Sequence, residues 1–116
     1  MGVLTNSTGQ AADAALAAAG LRERFEVVIG SDEVRRFKPH PHVYEHAVQR
    51  VSADSGEIVL VAAHGWDVMG AMRARLRGAW VARSERWLVP VVPEPDVRGE
   101  DLEEVARRIA ALPVRT

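Results

Sequence analysis

The apolar run Ile58-Val59-Leu60-Val61-Ala62 is the feature that most constrains the fold of this chain. It is β-branched and apolar on both faces, which is typical of a parallel strand covered by helices on either side. We therefore expect this strand near the centre of a parallel sheet. Shorter apolar runs at residues 2–6, 25–29 and 79–82 predict three further strands, the last of them introduced by Gly78.

Stretches with helical signals separate these strands. Ser7 and Gln10 have the spacing of a capping box for an Ala-rich helix that runs to about Ala19 and stops at Gly20. Pro41 is suited to the first turn of a second helix, in which apolar residues recur at helical spacing.

Two more helices complete the pattern. Residues 66–76 predict the third helix, and residues 101–112 predict a fourth, amphipathic one after a Pro-rich linker from Pro90 to Pro95. The alternation of strands and helices predicts an α/β fold, a doubly wound parallel sheet with helices on both faces.

Length and charge restrict the class of protein. A chain of 116 residues suits one compact domain spanning residues 1–116. A net charge of -1, with acidic and basic residues interleaved, offers no footprint for nucleic acid or an anionic membrane, so a small-molecule partner is expected. No apolar run approaches the roughly 20 residues of a membrane span, and no signal peptide is evident, which predicts a cytoplasmic protein. The absence of cysteine excludes disulfides and thiol chemistry.

Polar residues stand where predicted strands end. Thr5 and Asn6 follow the first strand, His64 and Asp67 follow the strand at residues 58–62, and Lys38 lies in a loop punctuated by prolines. Ligands of doubly wound folds bind at the carboxyl ends of the strands. A hydroxyl, a lysine and an aspartate there could hold a carboxylate nucleophile and the anion that forms on it.

The order of these segments resembles the haloacid dehalogenase superfamily, and within it the metal-independent 2-haloacid dehalogenase branch. The matching segments are Leu4-Thr5-Asn6-Ser7, Phe37-Lys38-Pro39-His40-Pro41 with Val43-Tyr44, and His64-Gly65-Trp66-Asp67 with Gly70-Ala71. Ala79-Trp80-Val81-Ala82-Arg83 and Pro95-Asp96 match positions that follow.

The resemblance implies an activity: hydrolysis of a carbon–halogen bond through an aspartyl ester, with a 2-haloacid or a similar small organic acid as substrate. Thr5, Lys38 and Asp67 would be the catalytic residues of this chain. The resemblance further implies that the substrate pocket is formed by Asn6, Tyr44, His64 and Trp66.

A phosphatase of the same superfamily is an alternative. Phosphatases of this superfamily usually have two acidic residues around the motif that corresponds to His64-Gly65-Trp66-Asp67, because Mg²⁺ requires several hard oxygen ligands. Here Asp67 stands alone after Ala62, Ala63 and His64, so we propose neither a metal nor a cofactor. His42 and His46 have the spacing of a metal pair, but without a third ligand a surface position is favoured.

The family's first motif, a strand ending in the nucleophilic aspartate, has no counterpart in residues 1–116. The resemblance places that motif upstream, together with the helical cap and its halide-binding arginine. We therefore expect the chain to be inactive alone, and a truncated, non-catalytic binding or dimerising module is a second alternative. A sheet without its central strand would close on itself, accept a strand from another chain, or be marginally stable, and self-association into a homo-oligomer is expected.

Overall fold

The computed structural model describes residues 1–88 and 93–113. The chain divides into two compact units, Met1–Ser52 and Ala53–Thr116, each with its own sheet. Every pair of neighbouring strands runs parallel, which confirms the predicted α/β class. Part of the predicted linker from Pro90 to Pro95, residues 90–92, lies outside the described residues.

The first unit is built on two parallel strands. Its elements are strand β1 (Gly2–Leu4), helix α1 (Gly9–Ala18), strand β2 (Val27–Ile29) and helix α2 (Pro41–Val51), with 3₁₀ turns at Arg22–Arg24 and Ser31–Glu33. Gly2 pairs with Val27 and Leu4 with Ile29. The buried apolar side chains of this unit are those of Ile29, Val43 and Tyr44.

The start of α1 differs from the prediction. Thr8, not Ser7, is the N-cap, and its hydroxyl accepts a hydrogen bond from the backbone N–H of Ala11 at 3.1 Å. The prediction was wrong because Ser7 is held elsewhere: its carbonyl accepts from the Ser31 N–H at 3.0 Å. The predicted end of the helix is confirmed, since Gly20 follows Ala19 with a left-handed φ of 72°.

The described residues of the second unit form three parallel strands in the order β3-β4-β5. Its elements are a 3₁₀ turn at Ser55–Glu57, strand β3 (Val59–Ala62), helix α3 (Gly65–Arg73), strand β4 (Arg77–Val81), strand β5 (Val97–Gly99) and helix α4 (Leu102–Ala110). Strand β5 was not predicted, because Val97-Arg98-Gly99 contains no apolar run and follows a Pro-rich stretch.

Strand β4 is the central one of this sheet, and the prediction that residues 58–62 would be central is wrong. All five residues of β4 are buried, whereas Val61 in β3 is 41% exposed. Helices cover both faces of β4: a Cβ at Gly78 would contact Val68 of α3, and Val81 packs with Val105 of α4. The doubly wound arrangement is therefore seen around β4.

Helix α4 packs its apolar side on the sheet. Val105 is buried in a cluster with the strand residues Ala79, Val81 and Val97, and Ile109 packs against that cluster. Asp101 caps the helix by accepting from the backbone N–H of residue 104 at 2.8 Å. Leu102, the first residue of the helix, is 54% exposed.

None of the helices in residues 1–88 and 93–113 is both long and apolar enough to cross a membrane.

Candidate active site

The residues after β1 form a tight polar turn. The backbone N–H of Thr5 donates to the carbonyl of Ile29 at 3.0 Å and so continues the β1–β2 pairing by one residue. The Thr5 hydroxyl lies 3.1 Å from that of Ser7 and accepts from the Ser7 N–H at 3.2 Å. Thr5 is therefore held at the carboxyl end of β1 with its hydroxyl engaged in the turn.

Lys38 reaches this turn from the loop between β2 and α2. Its backbone N–H donates to Oδ1 of Asn6 at 2.7 Å, and its ammonium Nζ donates to the carbonyl of Leu4 at 3.2 Å. The peptide bond from Lys38 to Pro39 is cis. Within the first unit, the structure thus brings the lysine and Asn6 together at the end of β1.

Lys38 is the only lysine among the fifteen lysine and arginine residues of the sequence. A lysine ammonium is a compact, strongly hydrated point charge, unlike the broad guanidinium of arginine. Apart from the chain's amino terminus, Lys38 carries the one primary amine in the molecule, which makes it selectively addressable by amine-reactive reagents.

Ser31 is a site residue that the sequence analysis missed. It is buried, and its hydroxyl donates to the carbonyl of Asn6 at 2.7 Å. It follows β2 after the single residue Gly30, as Asn6 follows β1 after Thr5. The strand-end argument that selected Thr5 applies equally to Ser31, because carboxyl ends of neighbouring parallel strands meet at one edge.

A charged cluster joins the two ends of the loop that carries Lys38, the 3₁₀ turn Ser31–Glu33 and helix α2. The carboxylate of Glu33 accepts hydrogen bonds from Nε2 of His46, at 2.8 Å, and from the guanidinium of Arg50. Partial burial opposes ionisation of Glu33, but these two partners outweigh it and lower the pKa of its carboxyl group. His46 thus pairs with a carboxylate, which is consistent with the predicted surface position of His42 and His46.

Tyr44, predicted to shape the substrate pocket, is fully buried on α2 next to Val43. The structure places it in the core of the first unit.

The second group of predicted residues begins helix α3. His64 is the N-cap residue, and Asp67 lies in the first turn, where the partial positive charge of the helix N-terminus favours a carboxylate. Asp67 is 5% exposed. Trp66 is 39% exposed and stacks on the His64 imidazole with ring centroids 5.5 Å apart, so it is not a core residue.

Glu85, in the loop after β4, completes this group and was missed by the sequence analysis. Its Oε1 accepts from the backbone N–H of Gly65 at 3.0 Å, and its Oε2 lies 2.7 Å from Nδ1 of His64. The hydrogen bond from Gly65 and the hydrogen bond from His64 together lower the pKa of the Glu85 carboxyl group. No sequence signal links residues twenty positions apart in this way.

Trp80 anchors the segment in front of His64. Its indole N–H donates to the carbonyl of Ala63 at 3.1 Å, and the guanidinium of Arg98 lies 4.9 Å from the ring centroid on the neighbouring strand. Trp80 is 2% exposed, so its buried ring holds the backbone of Ala63 just after the end of β3.

The predicted site residues therefore occur in two groups. Thr5, Asn6 and Lys38 are brought together in the first unit, and His64, Trp66 and Asp67 in the second. In the part of the chain that the structure describes, no cluster of three or more His, Asp or Glu side chains could hold a metal ion.

Comparison with known proteins decides the family. A family model described as haloacid dehalogenase-like hydrolase matches residues 1–81. The chain belongs to this family. The predicted resemblance, including the 2-haloacid dehalogenase branch, is confirmed by the relatives and structures below.

An (S)-2-haloacid dehalogenase of Pseudomonas sp. strain YL is 31% identical over 96 residues, which are 83% of this chain and 41% of that enzyme. A pyrophosphatase PpaX of Bacillus thuringiensis is 28% identical over 97 residues, 81% of this chain and 45% of that protein. The chain thus spans less than half the length of these relatives.

The fold is similar to that of a solved L-2-haloacid dehalogenase from Xanthobacter autotrophicus with chloropropionic acid covalently bound. The TM-score is 0.89 at 25% identity, and the match covers 97% of this chain and 55% of that one.

Proposed function

We propose that this chain supplies the supporting part of a haloacid dehalogenase-type site, in which a carboxylate displaces halide from a small 2-haloacid. The observation that carries the proposal is the placement of Lys38. Its ammonium lies on the last carbonyl of β1, and its backbone is tied to Asn6. A fixed positive charge at a strand end stabilises carboxylates and the halide that leaves.

In the proposed reaction, a carboxylate oxygen attacks the halogen-bearing carbon, an ester C–O bond forms, and the halide leaves with the bonding electrons. Water then attacks the ester carbonyl and releases the 2-hydroxyacid. Thr5 binds a carboxylate oxygen, Lys38 compensates the negative charge, Asn6 cradles the halide, and Asp67 orients the water. His64 and Trp66 contribute to the substrate pocket.

Residues 1–116 contain no counterpart of the nucleophile motif, so we expect the chain alone to release no halide from 2-chloropropionate. The chain joined behind the segment that precedes the match in the Pseudomonas relative should release halide. Lys38→Ala should abolish that release. Arg36→Ala, which removes an exposed positive charge from the same loop, is the matched control and should leave it intact.

Clear turnover by the unmodified chain, abolished by Lys38→Ala, would contradict the inference that the nucleophile is missing. A fused protein that folds but releases halide equally well with and without Lys38 would contradict the proposed role of the lysine.

A phosphatase activity is the second candidate, and the pyrophosphatase relative is the observation that favours it. The residues at the end of β3 argue against it, because Mg²⁺ prefers several hard oxygen ligands and Asp67 is the one carboxylate among residues 62–67. Phosphate release from pyrophosphate that depends on added Mg²⁺ would select this candidate.

The third candidate is a binding or dimerising module without catalysis. It is favoured if the fused protein folds, binds 2-chloropropionate and still releases no halide.

A further inference from the structure

Glu85 and His64 form a carboxylate–imidazole pair at the carboxyl ends of β4 and β3. The two residues are 21 positions apart, and Nδ1 of His64 lies 2.7 Å from Oε2 of Glu85. The other carboxylate oxygen is occupied by the backbone N–H of Gly65 at 3.0 Å. Both oxygens of Glu85 therefore act as acceptors within the second unit.

This geometry fixes where the proton of a neutral His64 resides. An ionised carboxylate only accepts hydrogen bonds, so Nδ1 must carry the proton that points at it. The lowered pKa of Glu85 keeps its carboxyl group ionised in neutral solution. Nε2 then carries a lone pair, and within the described residues it has no hydrogen-bond partner.

We propose that Glu85 is a positioning residue that holds His64 in the Nδ1–H tautomer, so that Nε2 is presented as a proton acceptor at the end of β3. The imidazole side chain is 54% exposed, and the stacked ring of Trp66 limits its rotation. A ligand matched to Nε2 is a hydrogen-bond donor, such as water or a hydroxyl group.

This inference rests on the proposed function for its place in the reaction. In the hydrolytic step, Nε2 accepts a proton from water while the water oxygen bonds to the ester carbonyl carbon. The ester C–O bond then breaks, and the imidazolium returns the proton to the departing alcohol oxygen. Glu85 acts only through His64.

The chain contains internal comparisons for the tautomer. His46 faces Glu33 through Nε2 at 2.8 Å, so its neutral ring should carry the proton on Nε2. His40 accepts the backbone N–H of His42 through Nδ1 at 3.1 Å, which also places its proton on Nε2. In the same molecule, the neutral ring of His64 should therefore carry its proton on Nδ1, and those of His40 and His46 on Nε2.

The test is a long-range ¹H–¹⁵N spectrum of the imidazole rings in mildly alkaline buffer, which distinguishes protonated from unprotonated ring nitrogens. We expect the His64 proton on Nδ1 in the unmodified chain, with the signal assigned through His64→Gln. Glu85→Ala removes the acceptor, and the ratio of the two His64 tautomers should move toward Nε2–H by about tenfold or more. The signals of His46 should not move.

Glu85→Gln is the isosteric variant and decides the question if Glu85→Ala fails to fold. Its amide has one acceptor oxygen, so a glutamine that accepts from Gly65 turns its NH₂ toward His64 and favours Nδ1 as acceptor. Glu33→Gln is the matched control and should change His46 alone.

A His64 proton on Nε2 in the unmodified chain, or an unchanged tautomer ratio in the variant that folds, would overturn the proposal. The experiment needs no turnover, so its failure is distinguishable from that of the proposed function. Loss of halide release in the fused protein would leave the tautomer result standing.

Discussion

The hydrogen bond between Asn6 and Lys38 provides the most direct test of how the lysine is positioned. Oδ1 of Asn6 accepts the backbone N–H of Lys38 at 2.7 Å, across 32 residues of sequence. We predict that Asn6→Ala destabilises the first unit and releases the loop that carries Lys38. Asn6→Asp keeps an acceptor oxygen in place and is the matched control.

The expected magnitude follows from the half-buried setting of this bond. Leaving a buried donor without its acceptor costs about 1–3 kcal/mol, and the partial exposure of both residues selects the lower part of that range, about 1–2 kcal/mol. With urea slopes of about 1–3 kcal/mol per molar for small proteins, the midpoint of unfolding should fall by roughly 0.3–2 M.

Two measurements check this prediction. Urea unfolding followed by circular dichroism gives the free energy of unfolding, and mass spectrometry after brief acetylation gives the reactivity of the single lysine. In Asn6→Ala, the ammonium should lose its fixed place at the carbonyl of Leu4 and react several-fold faster. The amino terminus of the same molecules serves as the internal reference.

Asn6→Asp should behave like the unmodified chain in both assays. The reasoning is refuted if Asn6→Ala unfolds at the same urea concentration and acetylates at the same rate as the unmodified chain. Equal losses in Asn6→Ala and Asn6→Asp would show that the amide N–H₂ matters and that Oδ1 does not.

Three further predictions follow from the described contacts. Gly30→Ala should lower the free energy of unfolding by more than about 2 kcal/mol in thermal unfolding, because a Cβ there would lie 2.1 Å from the Gly9 backbone nitrogen. Gly9→Ala is the control and should be nearly neutral, because the nearest atom to its Cβ would be 3.8 Å away. The lowered pKa of Glu33 stabilises the fold above the ordinary carboxyl value of 4.5, and this contribution is lost as the pH falls through the folded-state pKa, so Glu33→Gln should reduce the loss of stability in acid. The chain should self-associate in light scattering, and Val61→Asp, at the exposed residue of edge strand β3, should weaken that association; a stable, compact monomer would contradict this.

Much of the fold was predictable because its signals are local. The start of α2 at Pro41 and the left-handed Gly20 after α1 depend on neighbouring residues alone, and both predictions are confirmed. Strand β5 was missed because Val97-Arg98-Gly99 contains no apolar run and follows a Pro-rich stretch. The central place expected for β3 was wrong. An apolar sequence shows that burial of a strand is favourable, but it does not determine which strand of the sheet lies at the centre.

Some residues of the candidate site could be predicted from the sequence, and others could not. The sequence motifs alone indicate Thr5, Asn6 and Lys38, and the roles of these residues stay predictions. Ser31 was within reach of the strand-end argument, since it follows β2 as closely as Asn6 follows β1. Glu85 was not, because its two partners are 20 and 21 residues earlier in the chain.

The sequence by itself determined the alternation of strands and helices, the ends of several helices and the family. Those properties arise from backbone preferences and side-chain periods that act over a few residues. Only the tertiary structure decided that β4 lies between its neighbours, that Lys38 rests on the last carbonyl of β1, and that Glu85 meets His64. These contacts depend on how loops return distant segments to one edge of a sheet, and no local pattern of residues encodes that path.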